Sequence, residues 1–155
     1  ELNGYFGDHA KTFAVGKISE DKKKLMSITQ ESLFKGIEKA VPGNTVGDIG
    51  FAIQSHAETN GYSVVRELVG HGIGESLHEE PQIPNYGSPN SGYRLHSGMC
   101  IAIEPMINLG SKEIYTANDG WTILTADGKA SAHFEHTIAI LEDGPRILSM
   151  VGEHG

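Results

Sequence analysis

HFEHTIAIL, residues 133–141, sets a glutamate and two histidines at the head of an apolar run with the composition of a buried strand. Strand alternation puts His133 and Glu135 on one face and Phe134 and His136 on the other. Glu135 can therefore face a site, and His136 is expected to pack elsewhere. A carboxylate inside such a run must be paired, protonated or bound to metal. The same pattern recurs in CIAIEPM, 100–106, where Pro105 ends a strand just after Glu104. Asp8 in GYFGDHAKTF and His71 between two glycines of GHGIG (70–74) add two more ligand-type side chains. Three carboxylates and one imidazole form a donor set for hard or borderline divalent ions such as Mn²⁺, Fe²⁺ or Co²⁺.

The chain predicts an α+β fold with two helices and a mostly antiparallel sheet. Asn3 to Phe6 and Thr12 to Val15 read as extended, interrupted at Gly7-Asp8. Ser19 caps a helix to about Val41, with Met26, Leu33, Phe34, Ile37 and Val41 at helical spacing. Thr45 and Asp48 resemble a capping box, and a second helix runs from Val46 to Asn60, burying Ile49 and Ile53. Tyr62 to Val65 is a short strand. Residues 66–98, rich in Gly, Pro, Ser and Asn, read as a functional loop region. Further strands are expected at Met99–Ile103, Gly120–Leu124, His133–Leu141 and Arg146–Met150.

The 155 residues, 38% hydrophobic and 21% charged, are enough for one core-burying domain. A net charge of −8 argues against nonspecific binding to nucleic acid or anionic membrane. Lys22-Lys23-Lys24 reads as a solvated helix start, and no apolar stretch has the length of a spanning helix. The single cysteine, Cys100, forms no internal disulfide, fits a reducing compartment and reads as a small buried hydrophobe in a strand.

Several motifs fall away on inspection. GHGIG lacks the third glycine of a dinucleotide fingerprint and the Lys-Ser/Thr of a P-loop. HEEP at 78–81 has Gln82 where a helical zinc motif needs a second histidine. The bland reading of Glu104 is a core carboxylate paired with Arg66, Arg94 or Arg146. His9, His56, His96 and His154 lack supporting context, and His56 reads as surface.

Four segments, NGYFGDHAKTFAVG (3–16), ELVGHGIGESLHEEPQIPNY (67–86), GMCIAIEPMI (98–107) and NDGWTILTADGKASAHFEHT (118–137), occur together in this order and spacing. On them the chain strongly resembles the bacterial type I methionine aminopeptidases over essentially its whole length. The resemblance implies a pita-bread (creatinase/aminopeptidase-like) fold around a site for two divalent metal ions, Mn, Fe, Co or Zn. In it Asp8 and Glu135 would bridge both ions, and His71 and Glu104 would complete the sphere of one. His78 would bond the scissile amide and help stabilise the tetrahedral intermediate, and Glu104 would shuttle the proton. Leu77, where the family often has Phe, and Trp121 would line the methionine pocket.

The implied activity is metal-dependent removal of N-terminal methionine from nascent peptides, near the ribosome, by a cytoplasmic monomer with no nucleic-acid or membrane partner. The chain starts at Glu1, close before Asp8 and without an initiator Met. Residues 1–155 are thus expected to be one catalytic domain truncated at its N-terminus, inactive alone, with another ligand Asp and a second active-site His upstream. Two other readings are an X-Pro peptidase of the same fold and a metal-free pita-bread binding module. The four intact ligand-type residues and the acidic charge argue against the latter.

Overall fold

The structure, a computed structural model, describes residues 1–150. His154 lies outside the described residues. Helix α1 spans Glu20–Ile37 and α2 spans Val46–Thr59. Ser19 caps α1 by accepting from the Lys22 amide, and Thr45 and Asp48 form a full capping box on α2. α1 stops short of Val41 because the Lys39 and Ala40 amides turn back to the Gly36 and Ile37 carbonyls. Its buried stripe is Leu25, Ile28, Thr29, Ser32, Leu33, Gly36 and Ile37; Phe34 is exposed. Polar members fit this stripe because the Thr29 and Ser32 hydroxyls donate to the Leu25 and Ile28 carbonyls.

Among the described residues ten strands follow: β1 Ser63–Val64, β2 Gly70–Gly72, β3 Glu79–Ile83, β4 Cys100–Ile103, β5 Met106–Asn108, β6 Ile114–Thr116, β7 Ile123–Thr125, β8 Ser131–His133, β9 His136–Leu141 and β10 Gly144–Ile147. They form an antiparallel five-stranded sheet in the order β10-β9-β4-β2-β3, a three-stranded sheet β1-β5-β8 and a β6-β7 ribbon. Ile101, Ile103, Ile138 and Ile140 join Leu25, Leu33, Ile49 and Ile53 in one core cluster.

Five strand and loop expectations change. Asn3–Phe6 is a tight turn, not a strand: Asn3 and Gly4 have φ of 53° and 85°, and Leu2 and Tyr5 exchange backbone hydrogen bonds. Region 66–98 contains β2 and β3; β2 carries no apolar pattern because it is Gly-His-Gly. A Cβ at Gly70 would collide with the Ala102 carbonyl, and one at Gly72 with that of Glu80. The expected strand 133–141 is broken at Phe134–Glu135, whose amides bond Pro105 and Ala10 carbonyls instead of a regular ladder. The Arg146–Met150 strand lies earlier, at Gly144–Ile147, and the Gly120–Leu124 strand later, at Ile123–Thr125.

Candidate metal centre

Register across the large sheet builds the site. His71 of β2 stands opposite Ala102 of β4, and Ala102 opposite Thr137 of β9. Residues directly opposite share a face. Two positions along from Ala102 is Glu104, and two back from Thr137 is Glu135, so alternation directs both carboxylates to the face of His71. Asp8 reaches this face on an irregular segment clamped by Thr137. The Thr137 hydroxyl accepts from the Asp8 amide at 2.9 Å and donates to the Asp8 carbonyl at 2.8 Å.

The side chains converge. Donor atoms of Asp8, His71 and Glu135 lie within 4.8 Å of one another, as do those of Glu104, His133 and Glu135. Glu104 sits between two imidazoles, Oε1 3.6 Å from His71 Nε2 and Oε2 3.3 Å from His133 Nε2. Arg66 lies near Glu58 and Arg94 bonds the Gly43 carbonyl, so the arginine-paired reading of Glu104 finds no support among the described residues. His71 Nδ1–H donates to the Gly72 carbonyl at 2.9 Å. That bond leaves Nε2 with its lone pair directed at the carboxylates, as metal ligation requires.

The cluster fits a cation better than it fits itself. Glu135 is 3% exposed, and its Oε1 is buried without a hydrogen-bond partner. Burial first, then the Glu104 and Asp8 carboxylates, push its acid up to about 8. A carboxyl so destabilised as an anion is relieved by a positive charge placed among the donors.

The other assigned residues are less tightly gathered. His78 is exposed, but its ring meets that of His71 edge-on at 4.4 Å between centroids. Leu77 is exposed, and Trp121 stands 87% exposed, so the structure does not close them into a pocket. A cavity of about 340 Å³ instead opens beside His133, lined by Val65, Leu68, Met106, Ile123 and Leu124 among others. Cys100 is half-buried, and burial raises its thiol pKa, which leaves it a poor nucleophile.

The segment 1–142 matches the model of metallopeptidase family M24. The chain belongs to that family. It is 57% identical to methionine aminopeptidase 1 of Bacillus subtilis over 151 residues, covering 97% of this chain and 61% of that protein. It is 56% identical to a methionine aminopeptidase of Clostridium perfringens, over 97% of this chain and 60% of the relative. The crystal structure of methionine aminopeptidase from Rickettsia prowazekii superposes with a TM-score of 0.94 at 45% identity, covering 96% of this chain and 60% of that one. A prolidase from Pyrococcus horikoshii shares the fold at a TM-score of 0.74 but only 26% identity, over 97% of this chain and 38% of that one. The fold is pita-bread, and the chain spans about three-fifths of the length of its methionine aminopeptidase relatives.

Within this M24 chain, two histidines without an assigned role lie at the site. His133 shares the face of Glu135, a relation legible in strand alternation, and its Nε2 is buried without a hydrogen-bond partner. His9 donates its Nδ1–H to the Glu135 carbonyl at 2.6 Å, and its amide bonds Asp8 Oδ1 at 2.9 Å. It stacks on His136 at 4.7 Å; the His136 ring itself turns toward α1, 6.2 Å from the Phe34 ring, with its Nδ1 2.9 Å from Ser149 Oγ. Only the tertiary contact reveals His9, because nothing adjacent in sequence marks it.

Proposed function

We propose that the protein is a metal-dependent aminopeptidase that removes N-terminal methionine. The observation that carries this reading is the convergence of Asp8, His71, Glu104 and Glu135 on one face of the sheet, with a buried unpartnered carboxylate oxygen at its centre. The family and the names of its relatives support it.

These four residues would hold divalent ions, taken as two of Mn, Fe, Co or Zn. When bound, such ions lower the pKa of water and polarise a carbonyl. Glu104, its oxygens shared between two imidazoles, takes the proton of the attacking water and passes it to the leaving amine. His78, held against the His71 ring, donates to the charge that develops on the scissile carbonyl oxygen. Acidic groups around the site favour the free α-amine of a peptide terminus. The cavity beside His133, with Met106, Val65 and Leu68 in its wall, takes the methionine side chain; Leu77 and Trp121 close over it only if they move from their exposed positions.

Nascent peptides are the expected substrate, with the protein acting as a cytoplasmic monomer. No helix among the described residues is long and apolar enough to cross a membrane. An X-Pro peptidase is the second reading, supported only by the more distant prolidase likeness. The test is release of free methionine from a Met-Ala-Ser peptide, with Mn²⁺ or Co²⁺ and with EDTA, by the polypeptide as its gene encodes it. Metal-dependent release is expected. Cleavage of Xaa-Pro dipeptides with Met-Ala-Ser left intact would replace this reading with the second.

A further inference from the structure

We propose that the outer edge of β6 binds the peptide that follows the N-terminal methionine, which pairs with it as an added β-strand. The inference rests on the aminopeptidase reading above and extends it from the metal centre to the rest of the substrate.

Three observations carry it. The first is an open backbone edge. Among the described residues β6 and β7 pair only with each other. The Ala126 amide donates to the Glu113 carbonyl and the Ala117 amide to the Thr122 carbonyl. The hydrogen-bonded pairs of this ladder are therefore Glu113 with Ala126, Tyr115 with Leu124 and Ala117 with Thr122. Ile114 and Thr116 lie between them. Their N–H and C=O groups point away from β7, where no other backbone group among the described residues bonds them. An extended peptide carries the complementary row of groups. β6 itself holds no proline, lysine or bulge of the kind that blunts an edge.

The second is position. Ile114 starts β6 at the wall of the cavity of about 340 Å³ that also holds Met106 and His133 and that takes the methionine side chain in the reading above. His133 Nε2 is in turn 3.3 Å from Glu104 Oε2. Thr116, about 7 Å along the strand, is no longer part of that wall. A peptide whose first side chain fills the cavity has its next residues at this edge.

The third is a preformed apolar surface. Tyr115, Trp121, Ile123 and Leu124 are all exposed on this one ribbon and its turn. Clustered exposure of this kind marks a contact surface. The turn is fixed in advance. Asp119 Oδ1 accepts from the Trp121 and Thr122 amides at 3.0 and 2.9 Å, and Oδ2 accepts from the Thr122 hydroxyl at 2.6 Å. A ribbon held in shape before binding loses little freedom when a peptide docks.

The experiment measures kcat/KM for methionine release from Met-Ala, Met-Ala-Ser, Met-Ala-Ser-Thr and Met-Ala-Ser-Thr-Val by the metal-loaded polypeptide as its gene encodes it. The longest peptide is then N-methylated at one amide at a time beyond the scissile bond. kcat/KM is expected to rise with length and level off. N-methylation is expected to lower it about fivefold at alternate positions only, because alternate amides of an added strand face the ribbon. Thr116→Pro removes an outward N–H and spares the β6–β7 bonds. It is expected to lose much of the gain with length while cleavage of Met-Ala stays unchanged; Thr116→Ala, which keeps the N–H, is expected to keep the gain. If the proline variant fails to fold, the N-methylated series decides alone. Rates independent of length, a gain that survives in Thr116→Pro, or losses without alternation would overturn this inference and leave the aminopeptidase reading standing. A dimer in sedimentation that Thr116→Pro dissociates, with rates independent of length, would assign the edge to a second copy instead. No methionine release from any of the peptides would overturn both.

Discussion

Glu135 is where charge, burial and function meet. Its acid is raised from 4.5 to about 8 by burial, then by Glu104 and Asp8. The native carboxyl therefore holds its proton over a range in which the unfolded chain has lost it. The stability this contributes is fully present below pH 4.5 and is lost as pH rises through about 8. In metal-free protein, Tm is expected to fall across that window, and Glu135→Gln is expected to flatten the fall. Parallel pH–Tm curves for the two proteins would show that Glu135 is not held in this state. Added Mn²⁺ should restore Tm most strongly at the alkaline end, because it replaces the proton. His78 allows a kinetic test. It is assigned to charge that appears mainly in the transition state, so His78→Ala should lower kcat about 10²–10³-fold with little change in KM. A raised KM at unchanged kcat would make it a plain binding residue.

At the scale of elements, β2 decides whether the site exists. It lies between β3 and β4, carries His71, and is flanked by glycines whose missing Cβ atoms let the neighbouring carbonyls approach. Gly70→Ala should destabilise by about 1–3 kcal/mol, since the collision is with the Ala102 backbone rather than a flexible side-chain end. Urea unfolding measures it, and an unchanged midpoint would mean that the backbone yields freely. Thr45→Ala removes the capping box of α2 and should cost about 1 kcal/mol without altering metal affinity. The contrast explains what was legible in the sequence. Caps and helical periods are local, so Ser19, Thr45 and the extent of α2 could be read directly. The four ligand-type residues were legible because each broke an apolar or glycine context. β2 was hidden because its signal is absence of side chains, and β5 and β6 because three residues hold too little alternation to detect. His9 depends on its contact with the distant Glu135 carbonyl, and the break at Phe134–Glu135 on the Pro105 and Ala10 carbonyls, none of them near in sequence.

Over the whole molecule, two helices and the isoleucine-rich side of the sheet form one core, and the opposite side presents carboxylates and imidazoles drawn from both ends of the chain. Asp8 and Glu135 are far apart in sequence, so a cation bound between them ties the N-terminal segment to β9. Binding of an ion to the native state alone should stabilise by about 2.7 kcal/mol at a free concentration one hundred times its Kd. The most direct measurement is a calorimetric titration of metal-free protein with Mn²⁺, repeated on Glu135→Ala. The account predicts saturable binding by the protein and a loss of at least one ion, with much weaker affinity for any that remains, in the variant. Absence of binding, or equal binding by both proteins, would contradict the claim that these side chains form a metal centre.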